Sequence, residues 1–294
     1  MLIYGDLSTN KTDVLIDKYA ELLNSNVKAS EILVLVQNST LKNNFINKTL
    51  EKLNVNSLEK MQVHSFFSLV YNTVNDNWAF LENINPYSNP VILPNLAGLE
   101  VSQFILKDII KDIKFKGYNS KKSLLHQIFR RYSLIVQNHL SNEQIQERSK
   151  ILKESFAEDA ELIIKKLLSS TLKSRSLDYL RQTLIFNHVY KHTDYFKNIK
   201  YLLVDDADEM TPVCFDFISY LKPQLKDWII CFDSLGSSRC GYLSADTSIE
   251  CKLIHLFNED VQTDKNIFSQ GEIIFSNILE NKHESCLLYT SPSP

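Results

Sequence analysis

Apolar positions along this chain follow two periods, and the period changes with position. "MLIYG" is a short apolar run closed by glycine, which reads as a buried strand feeding a turn. Val14, Leu15, Tyr19, Leu22 and Leu23 recur at helical spacing, so a helix is expected from about Lys11. "EILVLVQNS" is a second apolar strand and "LKNNFINKTLEKLNV" a helix. "MQVHSFFSLVYNTV" reads as a strand end that turns into a helix. Strand and helix alternating in this way predict a parallel sheet covered on both faces.

The alternation then stops. Residues 83–99 are rich in Asn and Pro and read as a loop. From Glu100 to His192 every periodic stretch is helical, and no strand is expected. "IKYLLVDDADEMTP" returns to β, with Tyr201 to Val204 running into a cluster of acids. "DWIICFDS" is another buried strand, and "IECKLIHLF" reads as a last one. The expected fold class is α/β. A parallel sheet flanked by helices uses residues 1–82 and 193–285, and an all-helical insertion occupies 83–192. Residues 286–294, "CLLYTSPSP", carry neither period and are set aside as a non-native or disordered tail.

Composition narrows the class. Of 294 residues, 44% are hydrophobic and 23% charged, which is ordinary for a soluble globular domain. No run of about 18 apolar residues exists, and "MLIYGD" has no basic start or long apolar core. A membrane protein is thus not expected. The five cysteines form no C-x-x-C pair, so reduced thiols in a cytoplasmic protein are expected and a zinc site is not. Net charge is −3, but it is unevenly spread. Residues 107–175 hold 15 basic against 8 acidic side chains, and residues 205–260 hold 11 acidic against 4 basic. The first suits nucleic-acid phosphates and the second metal-ion chemistry; solvated faces are the plain alternative for both.

Two strand ends carry the candidate chemistry. After the first strand, "GDLSTNKT" places Gly5, Asp6, Leu7, Ser8, Thr9, Asn10, Lys11 and Thr12 at a strand-to-helix junction. A phosphate loop needs backbone N–H groups pointing inward, a lysine for the terminal phosphates and a hydroxyl for Mg²⁺. Asn10 stands where glycine is usual, and Asn tolerates positive φ better than most residues. At the second end, "LLVDDADE" delivers carboxylates where ligands bind in doubly wound sheets. Asp205 is placed to hold Mg²⁺ and Asp206 to orient a water. Together the two ends are what a nucleotide-hydrolysing core requires.

With those residues in place, the chain resembles the first half of a UvrD/Rep-type superfamily-one DNA helicase, or of the related RecB/AddA nuclease-helicases. The resemblance runs over most of residues 1–257. "ILVLVQNST" and "QVHSFFSLV" stand where the family has its T-F-T-N and T-F-H-S-F segments. "SRSLDYLRQTL" and "YLLVDDADEMTP" resemble the L-x-D-F stretch and the V-D-E-x-Q-D strand end, and "CFDSLGSSRCGYLSAD" resembles the later G-D-x-x-Q motif loosely. The resemblance implies ATP and Mg²⁺ as cofactors. It makes Lys11 and Asp206 catalytic, puts Asp208 in the place of a nucleotide-sensing glutamine, and assigns the metal to Thr12 and Asp205. It places Gln37, Asn38, Ser39, His64, Ser65 and Phe66 against single-stranded or tailed DNA, with the helical insertion as an accessory domain. It also implies a second RecA-like domain carrying an arginine finger, and in some relatives a partner nuclease subunit.

Departures from the pattern keep a second reading open. Asp206 replaces a glutamate, Gly236 a glutamine, and Gln37 and Val63 replace stacking aromatics. The readings are an ATP-dependent DNA translocase or helicase and a catalytically degenerate helicase-like scaffold. A small P-loop kinase fits less well, given the long helical insertion.

Overall fold

A computed structural model of the chain describes residues 1–5, 10–58, 60–78, 92, 94–111, 121–151, 157–233, 245, 248–257 and 261–263. Its centre is a parallel sheet of six strands: β1 (Leu2–Gly5), β2 (Ile32–Val36), β3 (Gln62–Ser65), β6 (Tyr201–Val204), β7 (Asp227–Asp233) and β8 (Val261–Thr263). They lie in the order β3-β2-β6-β7-β1-β8. Two short strands, β4 (Asn95–Leu96) and β5 (Ser176–Leu177), pair apart from it.

The sheet is buried on both faces because successive strand residues point to opposite sides. Leu33, Leu35, Leu202, Val204, Ile230 and Phe232 enter one hydrophobic cluster. Ile32, Val34, Val36, Leu203, Ile229 and Cys231 enter the other. Helices α1 (Lys11–Asn24) and α2 (Ser39–Leu53) cover the second face, with Leu15, Ile16, Tyr19 and Phe45 inward. Helices α3 (Phe66–Asp76), α8 (Tyr179–His192), α9 (Pro212–Leu221) and α10 (Ile249–Phe257) cover the first. At its heart Phe186 meets Phe66, Tyr190, Phe196 and Phe217, ring to ring, at centroid distances of 5.2–6.0 Å.

A third cluster forms among α4 (Leu99–Ile109), α5 (Lys121–Gln137), α7 (Ala157–Lys173) and the start of α8, around Leu106, Ile128, Tyr132, Ile163 and Leu167. Helix α6 (Asn142–Ile151) lies between α5 and α7 in the chain. Leu180 belongs to this third cluster, whereas Ile185, Phe186, Val189 and Tyr190 belong to the sheet-side core. Packing therefore changes over inside α8, from the helical block to the sheet-side core. Among the described residues no helix is long and apolar enough to cross a membrane.

Two expectations are corrected. "IECKLIHLF" is helix α10, not a strand. Ile249, Leu253 and Phe257 are buried at spacings of four, and Phe257 lies on Trp228 with ring centroids 3.9 Å apart. In a nine-residue apolar run, helix and strand periods are hard to tell apart. The stretch expected to lack strands also contains β5, whose two residues are too short to show a period.

Candidate functional site

Strand order brings the candidate residues to one edge. β7 lies between β6 and β1, so its last residue, Asp233, stands between the ends that deliver Asp205 and Lys11. Gly5 pairs in register with Asp233, and Val204 with Leu35 and Ile230. Lys11 and Thr12 open α1 at the C-terminal edge of the sheet. Asp6, Leu7, Ser8 and Thr9 lie outside the described residues.

Asn10 caps α1 at φ 49°, ψ 26°, in the left-handed region. A side chain there normally costs roughly 1–2 kcal/mol, which Asn pays less of than other L-residues. Asn10→Gly is thus expected to be neutral or mildly stabilising, and Asn10→Ala to destabilise by roughly 1 kcal/mol, read from urea midpoints. Equal midpoints for the two variants would show that the left-handed turn is not required.

Thr12 Oγ1 donates to Asp205 Oδ2 at 2.7 Å, across 193 residues of sequence. Asp205 is buried, and its other oxygen, Oδ1, has no hydrogen-bond partner among the described residues. An unsatisfied buried carboxylate oxygen beside a hydroxyl is what a hard cation would ligate. Among the described residues no group of three His, Cys, Asp or Glu side chains could hold a metal ion. One carboxylate beside one hydroxyl suits Mg²⁺, which takes one or two carboxylates and completes its shell with waters and substrate phosphates. Burial raises the Asp205 carboxyl above its ordinary range, against the Thr12 hydrogen bond and Lys11, which lower it.

Lys11 Nζ is paired with Asp233 Oδ1, both side chains being almost fully enclosed. Asp233 N donates to Asp208 Oδ1 at 2.8 Å, so the buried Asp208 carboxylate pins the end of β7. Asp206 follows Asp205 at φ 50°, ψ 52°, which turns the chain sharply into the 3₁₀ turn Ala207–Glu209. Its carboxyl is pushed up to about 7, by burial first and then by Asp205, Asp233 and Asp208. This raised value means that ionising Asp206 opposes folding. Its contribution is intact below the ordinary carboxylate range and is lost as pH rises through about 7. Asp206→Asn, which tolerates the left-handed turn, should therefore melt above the parent at pH 8. The gap should shrink towards pH 4, at about 2–4 °C per kcal/mol. A gap independent of pH rules out the raised carboxyl.

The expected DNA-facing residues separate into two groups. Gln37, Asn38 and Ser39 follow β2 at the same sheet edge, and Asn38 caps α2 by accepting from Leu41 N at 3.0 Å. Ser65 caps α3 through Ser68 N, and Phe66 packs edge-on against Phe186. His64, expected against DNA, has an enclosed side chain. Its ring is buried, with Gln62 at 3.2 Å and Asn72 at 3.5 Å, in the wall of a cavity of about 300 Å³ at the other end of β2 and β3. Burial first, then Lys42 and Lys60, hold its imidazole down to about 4, so it is neutral near pH 7. Two further residues stand out. Asp233, the aspartate kept from the later G-D-x-x-Q motif, ends an apolar strand much as Asp205 follows one. Phe67 is 52% exposed and lies on Tyr179 with ring centroids 4.6 Å apart.

A search of curated proteins found no match. The family model of the UvrD/REP helicase N-terminal domain matches residues 2–234, which takes in β1 to β7 and each carboxylate described above. A Lys-Thr helix start and an acidic strand end, joined by a hydroxyl–carboxylate contact on one sheet edge, accord with that match, and the chain belongs to the UvrD/REP helicase N-terminal domain family.

Proposed function

We propose that the chain is the nucleotide-binding half of an ATP-dependent motor acting on single-stranded DNA, with DNA repair or recombination as its setting. The observation that carries this reading is the 2.7 Å contact of Thr12 with Asp205, together with the unsatisfied Asp205 oxygen. Lys11 would hold the terminal phosphates of ATP, and Thr12 and Asp205 would hold Mg²⁺. When bound, the metal neutralises phosphate charge. Asp206 would orient the attacking water and accept its proton, which requires the ionised carboxylate. Hydrolysis should accordingly rise with pH through about 7. Asp208 acts by fixing the end of β7 and is a positioning residue.

Gln37–Ser39 and Ser65 border the same sheet edge, and Phe67 offers an exposed ring on which a base can stack. The basic excess of the helical block fits a DNA backbone beside it. A nuclease partner and a second RecA-like domain, completing the site with an arginine, belong to this reading.

A degenerate scaffold is the second reading. It draws on the shorter carboxylate Asp206 and on the engagement of Lys11 by Asp233. Titration of the purified chain with Mg²⁺–ATP and with labelled single-stranded DNA separates the two. Saturable ATP binding supports the motor. DNA binding with no ATP binding at millimolar concentration supports the scaffold.

A further inference from the structure

We propose that Asp233 is a displaceable internal occupant of the terminal-phosphate subsite: its carboxylate holds the Lys11 ammonium, and a triphosphate must take its place. This rests on the nucleotide-binding reading and goes beyond it by naming a residue that sets the affinity.

The geometry is specific. Lys11 and Asp233 are paired with side chains only 6% and 7% exposed. Asp233 ends the strand that separates β1 from β6, so it lies between the lysine and the metal carboxylate, not at the rim. Its backbone is anchored through Asp208, while its side chain is directed at Lys11. A carboxylate oxygen and a terminal phosphate oxygen make the same charge-assisted contact to an ammonium, and both cannot occupy one position. Asp205, Asp206 and Asp208 bring further carboxyl groups into the same neighbourhood. Bringing a polyanion beside Lys11 therefore requires Asp233 to move aside.

The test is calorimetric titration of the full chain with Mg²⁺–ATP, comparing the parent with Asp233→Asn. A second variant, Asp233→Ser, keeps an oxygen for the ammonium without the charge. Both variants are expected to bind ATP at least tenfold more tightly. Both should melt lower than the parent without nucleotide, and ATP should raise their melting temperatures more. Equal or weaker binding by folded variants, with the parent binding ATP, overturns the proposal and leaves the motor reading intact. Weaker Mg²⁺–ATP binding by Asp233→Asn would make Asp233 a metal ligand. No binding by parent or variants overturns both readings. Should the variants fail to fold, a crystal structure of the parent with Mg²⁺ and a non-hydrolysable ATP analogue decides. The Lys11–Asp233 pair is expected to be open there, and an intact pair overturns the proposal.

Discussion

Replacing Lys11 by alanine is expected to lower Mg²⁺–ATP affinity about ten- to a hundredfold. Hydrogen bonds to charged groups are worth about 1.5–3 kcal/mol each, and the lysine supplies such bonds to the terminal phosphates. The same change has a second effect that must be separated from the first. It leaves the Asp233 carboxylate enclosed without its ammonium, and breaking a buried pair from one side costs about 3–5 kcal/mol. A lower melting temperature is therefore expected even without nucleotide. Lys11→Ala combined with Asp233→Ala should recover much of the stability and none of the affinity. Calorimetric titration reads the affinity and thermal melting the stability. If Lys11→Ala binds ATP as tightly as the parent, the strand-to-helix junction at Lys11 does not hold phosphate.

Phe186→Ala should cost about 3–5 kcal/mol of stability. Phe186 is fully buried and touches four other aromatic rings, from α3, α8, α9 and the segment before β6. These elements converge on one point, so the cavity left by the ring cannot close by moving one of them. The loss should appear as a lower urea midpoint with an unchanged slope. A shift under about 1 kcal/mol would mean that the cluster relaxes freely.

The fold was legible where burial is complete. β1, β2, β6 and β7 are near-continuous apolar runs because both faces of a parallel sheet are covered. The helix at Lys11 was legible from Leu15, Tyr19 and Leu22, which lie on its buried side. Strand β5 and helix α10 were not, because two residues show no period and nine apolar-rich residues show both. In the site, Lys11, Thr12 and Asp205 announce themselves by residue type after a strand. What the sequence withholds is strand order. Nothing in "CFDS" says that its strand inserts between the other two, so Asp233 could be matched to the family motif but not placed in the site. The residue type of His64 matches the helicase segment, but the alternation of β3 decides which face its ring takes, and the ring lies against Asn72 of α3.

Helix α8 anchors in the helical block at Leu180 and in the sheet-side core at Phe186 and Tyr190. Its 14 residues make a rod of about 21 Å. Phe186 and Tyr190 bear directly on Phe217 of α9, and α9 begins just past the turn that holds Asp206 and Asp208. The helical block is thus tied, through the aromatic rings of α8, to the helix that leads away from the acidic turn.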